Sequence, residues 1–234
     1  MSETIALAAR DRLALALDTD DLVDALRVAR DLEPWFSVAK VGLELFSATG
    51  PEVVTALVER GWKVFLDLKL HDIPTTVGRS ARVLGALGAS YLTLHAHGGV
   101  SMLRAGVEGL LTGADQAGLE APAAIAVTVL TSDDAAPPHI LGKRVAAAVE
   151  GGCSGIVCAA SDVREAKQLA PRLFAVVPGI RLEGTDPHEH ARAATPDEAI
   201  IAGADLLVVG RAVTAATDRV AAAAATAAAV HRAT

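Results

Sequence analysis

Eight short aliphatic runs recur along the chain, each followed by enough residues for a helix: Leu13–Leu17, Ser37–Val41, Val64–Leu68, Tyr91–Leu94, Ala124–Thr128, Gly155–Val157, Phe174–Val177 and Leu206–Val209. Runs this short and this rich in Val, Leu and Ile read as strands buried on both faces, the state of a parallel sheet covered by helices. Eight such alternations predict an α/β fold, a (β/α)8 TIM barrel spanning residues 1–234 as one domain; a doubly wound open sheet is the alternative that periodicity leaves open. The spacers carry helix signals. Asp20 or Asp21 can cap a first helix whose apolar face holds Leu22, Val23, Leu26 and Ala29. Thr195-Pro196-Asp197-Glu198 has the order of a helix start, with a capping threonine, proline in the first turn and acids at the positive end. Residues 112–122 and 132–139, rich in Gly, Pro and Asp, read as the loosest stretches, and there is no convincing internal repeat.

Composition narrows the function. With 52% hydrophobic residues but only 3% aromatic, the 234-residue chain can build a large aliphatic core. A net charge of −7 with no basic patch argues against nucleic acid or a membrane surface as partner. It leaves room for a small phosphate ligand, which needs only local cations and backbone donors. Cys153 and Cys158, the only cysteines, sit in or beside an apolar stretch and read as small buried residues in a reducing compartment, without metal-type spacing. The N-terminus is short and polar, with Arg10 and Asp11 early, and does not read as a signal peptide. No apolar run is long enough to span a membrane; the Ala-rich stretch 212–230 is broken by Asp218 and Arg219. These features predict a cytoplasmic, enzyme-sized domain.

The chemistry concentrates in Asp67-Leu68-Lys69-Leu70-His71-Asp72-Ile73-Pro74, which places a lysine between two carboxylates at the end of an apolar run. Residues two apart on a strand share a face, so Asp67 and Lys69 point the same way. Asp72 has the opposite parity, and Pro74 blocks continuation as a central strand, so Asp72 belongs to the following loop and can aim elsewhere, even toward a second subunit. A lysine flanked by carboxylates stays an ammonium, suited to giving a proton to carbon or binding an anion. A purely structural ion pair there brings no net stability to an apolar barrel.

Other polar groups also fall at strand ends, where a barrel carries its chemistry: Asp18, Lys40, His95 with His97, Thr131, Pro178-Gly179-Ile180-Arg181 and Gly210-Arg211. Lys40 is embedded in Val38-Ala39-Lys40-Val41-Gly42, too apolar a setting for a solvated lysine without a partner. Asp18 could instead cap a helix, His71 reads as surface, and His95 as packing or support beside Gly98-Gly99. Arg181 and Arg211 follow strands seven and eight, whose loops often bind phosphate in barrels. Residues 182–195 are too polar for core and long enough for a lid.

These segments together resemble the orotidine 5′-phosphate decarboxylase family, bacterial type. The resemblance rests on Leu-Ala-Leu-Asp at 15–18, Lys40-Val41-Gly42, Phe-Leu-Asp-Leu-Lys-Leu-His-Asp-Ile-Pro at 65–74, Thr76-Val77, His95 with Gly98-Gly99, Val-Thr-Val-Leu-Thr-Ser at 127–132, Pro-Gly-Ile-Arg at 178–181, Thr195-Pro196 and Gly210-Arg211. They stand in family order over nearly the whole chain. The resemblance implies a homodimeric carboxy-lyase without metal or organic cofactor, converting orotidine 5′-phosphate to UMP and CO2. It implies Lys69 as the acid that protonates C6, Asp67 beside the departing carboxylate, and Asp72, Ile73 and Thr76 as residues shared across the dimer interface. Asp18 and Lys40 would then bind the ribose hydroxyls, Thr131 the pyrimidine, and Arg181, Gly210 and Arg211 the phosphate.

The chain departs from the family pattern in three places. His190 stands where the lid usually carries a phosphate-binding glutamine. An imidazole donates more strongly when protonated, so phosphate affinity is expected to tighten below about pH 6.5, unlike that of His190→Gln. Thr75 replaces a common asparagine, and the segment from Ser132 to Gly151 is shorter than usual. Two rival readings carry different tests. A Mg2+-dependent sugar-phosphate lyase of the same superfamily would lose activity in EDTA. A non-catalytic phosphosugar-binding barrel would bind nucleotide after Lys69→Ala and never turn it over.

Overall fold

The computed structural model describes residues 9–130, 132, 136–137, 139–182 and 192–234. Thr131 and His190, both expected in the site, lie outside the described residues, as does most of the expected lid. Eight parallel strands close into a barrel in chain order: β1 Leu13–Leu17, β2 Val38–Gly42, β3 Lys63–Leu70, β4 Tyr91–His95, β5 Ala123–Val127, β6 Gly155–Val157, β7 Phe174–Val177 and β8 Leu206–Val209. Closure comes from β8 pairing back onto β1, with Leu13 opposite Leu207 and Leu15 opposite Val209. This is the (β/α)8 barrel, and the open-sheet alternative falls. Around it run α1 Leu22–Leu32, α2 Leu43–Thr49, α3 Glu52–Val58, α4 Pro74–Gly85, α5 Gly99–Gln116, α6 His139–Glu150, α7 Ala160–Leu169, α8 Pro196–Ala202, α9 Arg211–Thr214 and α10 Arg219–Arg232. No helix among the described residues is long and apolar enough to cross a membrane.

Strand parity divides the interior into two cores. Leu13, Leu15 and Leu17 of β1 face outward and pack with Val64, Leu66, Leu92 and Leu94 against the helices. Each side chain of this size stabilises the fold by about 1.5–3 kcal/mol through burial. Ala14 and Ala16 face inward with Val38, Phe65, Ile125, Val176, Leu206 and Val208. The N-terminal end of this inner core is filled by aromatic rings: Tyr91 meets Phe65 edge-on at 5.8 Å and stacks on Phe174 at 6.1 Å. The lumen is therefore packed, and its charged side chains gather toward the C-terminal strand ends.

The helix starts follow their sequence signals. Asp21 caps α1, its side chain accepting the Asp24 N–H, and Thr195 and Glu198 form a reciprocal capping box on α8. Two expectations need correction. Val23 is 77% exposed, because the buried face of α1 runs through Ala25, Val28, Ala29 and Leu32, with Leu22 and Leu26 only at its edge. Residues 112–116 form the last turn of α5 rather than a loose stretch. Their glycine serves packing: a Cβ on Gly113 would come within 1.9 Å of Arg82 O, and one on Gly109 within 2.1 Å of Gly78 O. Glycine thus lets α4 and α5 touch backbone to backbone, which fixes where the loop entering α4 stands.

Candidate active site

The inward side chains at the C-terminal strand ends surround a cavity of about 590 Å³ whose charged lining is Asp18, Lys40, Asp67, Lys69, Arg181 and Arg211. These were expected from the sequence, and closure of the barrel brings them together from five different strands or strand ends. Four cations face two carboxylates, so the mouth carries a local positive excess in a chain whose net charge is −7. Such a mouth favours a small, multiply charged anion.

Two lysine–carboxylate pairs form its floor. Lys40 Nζ donates to Asp18 Oδ1 at 2.7 Å. Gly42 leaves room for this pair, since a Cβ there would stand 3.2 Å from Lys40 Nζ and 3.5 Å from Asp18 Oδ1. Lys69 Nζ donates to Asp67 Oδ2 at 2.8 Å, so the shared strand face expected for Asp67 and Lys69 is realised. It is reached through an irregular strand. β3 and β4 are in register at Leu66 and Leu92 and again at Leu70 and Leu94, leaving two extra residues on β3 between them. Lys69 sits in that bulge at φ +49°, the only positive φ of a non-glycine among the described residues. A left-handed lysine costs about 1–3 kcal/mol, which the surroundings must offset.

Thr93, on β4, does much of that, and sequence reasoning passed over it. Its hydroxyl accepts the Lys69 N–H at 2.8 Å and lies 3.1 Å from Asp67 Oδ1, and the residue is fully buried. The available signal was a hydroxyl at inward parity inside the Tyr91–Leu94 run, but its target became visible only once β3 and β4 were aligned.

Asp72, Ile73 and Thr76 do not line the cavity. All three are exposed, Ile73 by 66%. Asp72 Oδ1 accepts the Ile73 N–H at 2.6 Å, just before Pro74 opens α4. The expectation that Asp72 leaves the strand and aims elsewhere is met. On the other side, Pro178 and Gly179 line the cavity below Arg181, which is buried. Arg181 N–H donates to Ala194 O at 2.9 Å and Ala194 N–H to Gly179 O at 3.3 Å, tying together the two ends of the 182–195 stretch. Gly210 and Arg211 lie at the start of α9 beside Asp18.

His95 stands apart from the cavity lining, in a cluster with His71 and His97 at ring separations of 5.5 and 6.2 Å. Its Nδ1 accepts the His97 N–H at 3.3 Å. Burial, then the neighbouring His71, Arg144, His97 and Lys69, pushes its pKa down to about 4. It is therefore a neutral ring at neutral pH, suited to packing. Cys153 and Cys158 are buried and unpaired, their thiols pushed up to about 12 chiefly by burial, as expected for inert core residues.

Comparison with known proteins accords with this geometry. Residues 11–226 match the Orotidine 5'-phosphate decarboxylase / HUMPS family. The orotidine 5'-phosphate decarboxylase of Moorella thermoacetica is 39% identical, the alignment covering 99% of this chain and 96% of that protein. That of an Anaeromyxobacter species is 44% identical over 93% of this chain and 97% of its own. Among solved structures, the orotidine 5'-phosphate decarboxylase of Lactobacillus acidophilus superposes with a TM-score of 0.80 at 33% identity, covering 94% of this chain and 99% of that one.

Proposed function

Because this chain belongs to the Orotidine 5'-phosphate decarboxylase / HUMPS family, we infer that it is the carboxy-lyase for which its curated relatives are named, converting orotidine 5′-phosphate to UMP and CO2 in the last step of de novo pyrimidine nucleotide synthesis. The observation that carries this reading is the Lys69 ammonium, held at 2.8 Å by the less exposed Asp67 and presented to a cationic cavity. The substrate brings two anionic groups, a phosphate and a carboxylate, to a mouth with a positive excess. As the C6–carboxylate bond breaks, its electron pair stays on C6 and the carboxylate leaves as CO2. Lys69 then gives a proton to C6, forming the C–H bond of UMP, and the neutral amine regains a proton from water. A fixed ammonium beside the developing carbanion stabilises it without having to reorient, which is electrostatic preorganisation. Asp67 keeps that ammonium aimed.

In this reading Asp18 and Lys40 take the ribose hydroxyls, Thr131 the pyrimidine, and Arg181, Gly210, Arg211 and the lid residue His190 the phosphate. Phosphate binding, remote from C6, is then available to order the site. The enzyme works as a homodimer in the cytoplasm, each chain one barrel domain. Asp72, Ile73 and Thr76 reach into the partner's site. Asp72 and Ile73 are exposed on the loop that enters α4 and Thr76 in its first turn, beside the glycine contacts between α4 and α5, which supports that assignment.

The test is the loss of orotidine 5′-phosphate absorbance on adding purified protein with EDTA present. Turnover by wild type and none by Lys69→Ala is the expected result; a folded wild type that is inactive until metal is restored on a sugar phosphate would overturn it. The shared site is tested by mixing Lys69→Ala with Asp72→Ala. Recovery to roughly a quarter of wild-type turnover is expected, since half the dimers are mixed and each has one complete site. No recovery would place Asp72 in its own chain's site.

A further inference from the structure

We propose that Thr93 is a positioning residue for the decarboxylation, its single hydroxyl setting both the carboxylate of Asp67 and the backbone of Lys69. The proposal rests on the assignment of Lys69 as the acid. Thr93 does not line the cavity, so any effect it has on chemistry must pass through the residues it holds.

A threonine hydroxyl has one proton to donate and lone pairs to accept with. The Lys69 N–H at 2.8 Å uses the acceptor side. Two oxygens compete for the proton, Asp67 Oδ1 at 3.1 Å and Leu66 O at 3.5 Å. The closer one is the carboxylate, and hydrogen bonds to an ionised acceptor are about twice as strong as neutral ones, so the proton goes to Asp67. The two carboxylate oxygens of Asp67 then have separate duties: Oδ1 is held by Thr93 and Oδ2 holds Lys69 Nζ. A carboxylate gripped at one oxygen cannot swing about its χ2 torsion, so the ammonium on the other oxygen has a fixed direction.

The backbone bond acts on the same group from the other end. The bulge in β3 removes Lys69 from register with β4, and Thr93 Oγ1 takes up the amide that would otherwise seek a ladder carbonyl. This bond holds Lys69 in its left-handed conformation and so sets where the side chain leaves the strand. Thr93 thereby fixes the root of the lysine and, through Asp67, its tip. Valine has the shape and strand preference of threonine without the hydroxyl, whereas serine keeps the hydroxyl.

The experiment compares wild type, Thr93→Val and Thr93→Ser by kcat and KM on orotidine 5′-phosphate, by UMP affinity, and by hydrogen exchange at the Lys69 amide. Thr93→Val should lower kcat about 10- to 100-fold, the scale of a misplaced reacting group, with KM and UMP affinity within about twofold of wild type. Its Lys69 amide should exchange at least about tenfold faster, having lost its acceptor. Thr93→Ser should restore both readouts to within about threefold. An unchanged kcat in Thr93→Val, an equal loss in Thr93→Ser, or a parallel loss of UMP affinity would overturn the proposal, the last two pointing to packing. If wild type itself fails to turn over the substrate, the functional reading falls. The amide exchange of the two variants then still decides whether the hydroxyl holds Lys69, and unaltered exchange in Thr93→Val would reject it.

Discussion

The two lysine–aspartate pairs at the barrel mouth share a chemistry and differ in which partner is hidden. In the Asp18–Lys40 pair the lysine side chain is 10% exposed and the carboxylate 53%; in the Asp67–Lys69 pair the carboxylate is 16% exposed and the lysine 34%. The first pair therefore offers a carboxylate to whatever enters, a group that accepts hydrogen bonds. The second offers an ammonium, a donor of protons. Strand geometry makes the difference. Lys40 lies within β2, flanked by buried Val38, Ala39 and Val41, while Asp18 stands one residue beyond β1. Asp67 sits lower on β3 beside Thr93, and Lys69 rises out of the strand at the bulge. How far up its strand each partner stands thus decides which of the two charges a pair presents to the cavity.

The contrast breaks most sharply at Lys69. Lys69→Ala should lower kcat by at least about 10⁴-fold, beyond the usual worth of a general acid because the ammonium also stabilises the carbanion, while circular dichroism shows the fold intact and Asp67 keeps its bond to Thr93. Turnover within tenfold of wild type would remove Lys69 from the chemistry. Asp18→Ala should behave in the opposite way. It strands a buried ammonium, so chemical denaturation should show a loss of about 1–3 kcal/mol, less than for a fully buried pair because Asp18 is half exposed. KM should rise more than kcat falls. Equal losses in kcat for the two variants would erase the distinction between binder and acid.

A third expectation tests whether the histidine cluster beside the mouth belongs to either pair. His95 titrates near pH 4 in the folded protein and near its ordinary 6.5 in the unfolded chain. Between these values the unfolded chain takes up a proton that the folded one refuses. The contribution of the neutral ring is whole above pH 6.5 and lost as pH falls toward 4, about 1–2 kcal/mol by pH 5 for a part-exposed group. Melts at pH 7 and pH 5 should show a smaller drop for His95→Asn, with kcat at pH 7 changed little; identical drops would mean the ring is not the titrating group. The smallest effect is expected at Gly42→Ala. The added methyl presses on the end of the flexible Lys40 side chain and should raise KM severalfold with little change in melting temperature. A lower kcat at unchanged KM would link the two pairs, whose strands are neighbours with Gly42 opposite Asp67.

Several parts of this picture could be read directly along the chain. The limits of Gly155–Val157, Phe174–Val177 and Leu206–Val209 coincide with β6, β7 and β8, because buried parallel strands need uninterrupted aliphatic residues and little else does. Thr195 and Asp21 cap their helices for reasons local to each turn. Val23 misled because α1 is more apolar than its buried face requires, and the rotation of that face is set by what packs beneath it. Residues 112–116 misled because glycine signals loops locally and close helix contacts only in three dimensions. Thr93 went unnoticed because its value lies in alignment with a neighbouring strand.

What the order of residues decided was the alternation of strand and helix, the shared face of Asp67 and Lys69, and the turn at Pro74 that sends Asp72 away from them. These are consequences of φ/ψ preference and side-chain period, which act over a few residues. The inverse burial of the two ion pairs, the hydroxyl beneath Lys69 and the gathering of six charges around one cavity were decided by barrel closure. The physical reason is that burial, desolvation and register belong to neighbours remote in the chain, such as Asp67 and Thr93, and come into being only when the sheet closes on itself.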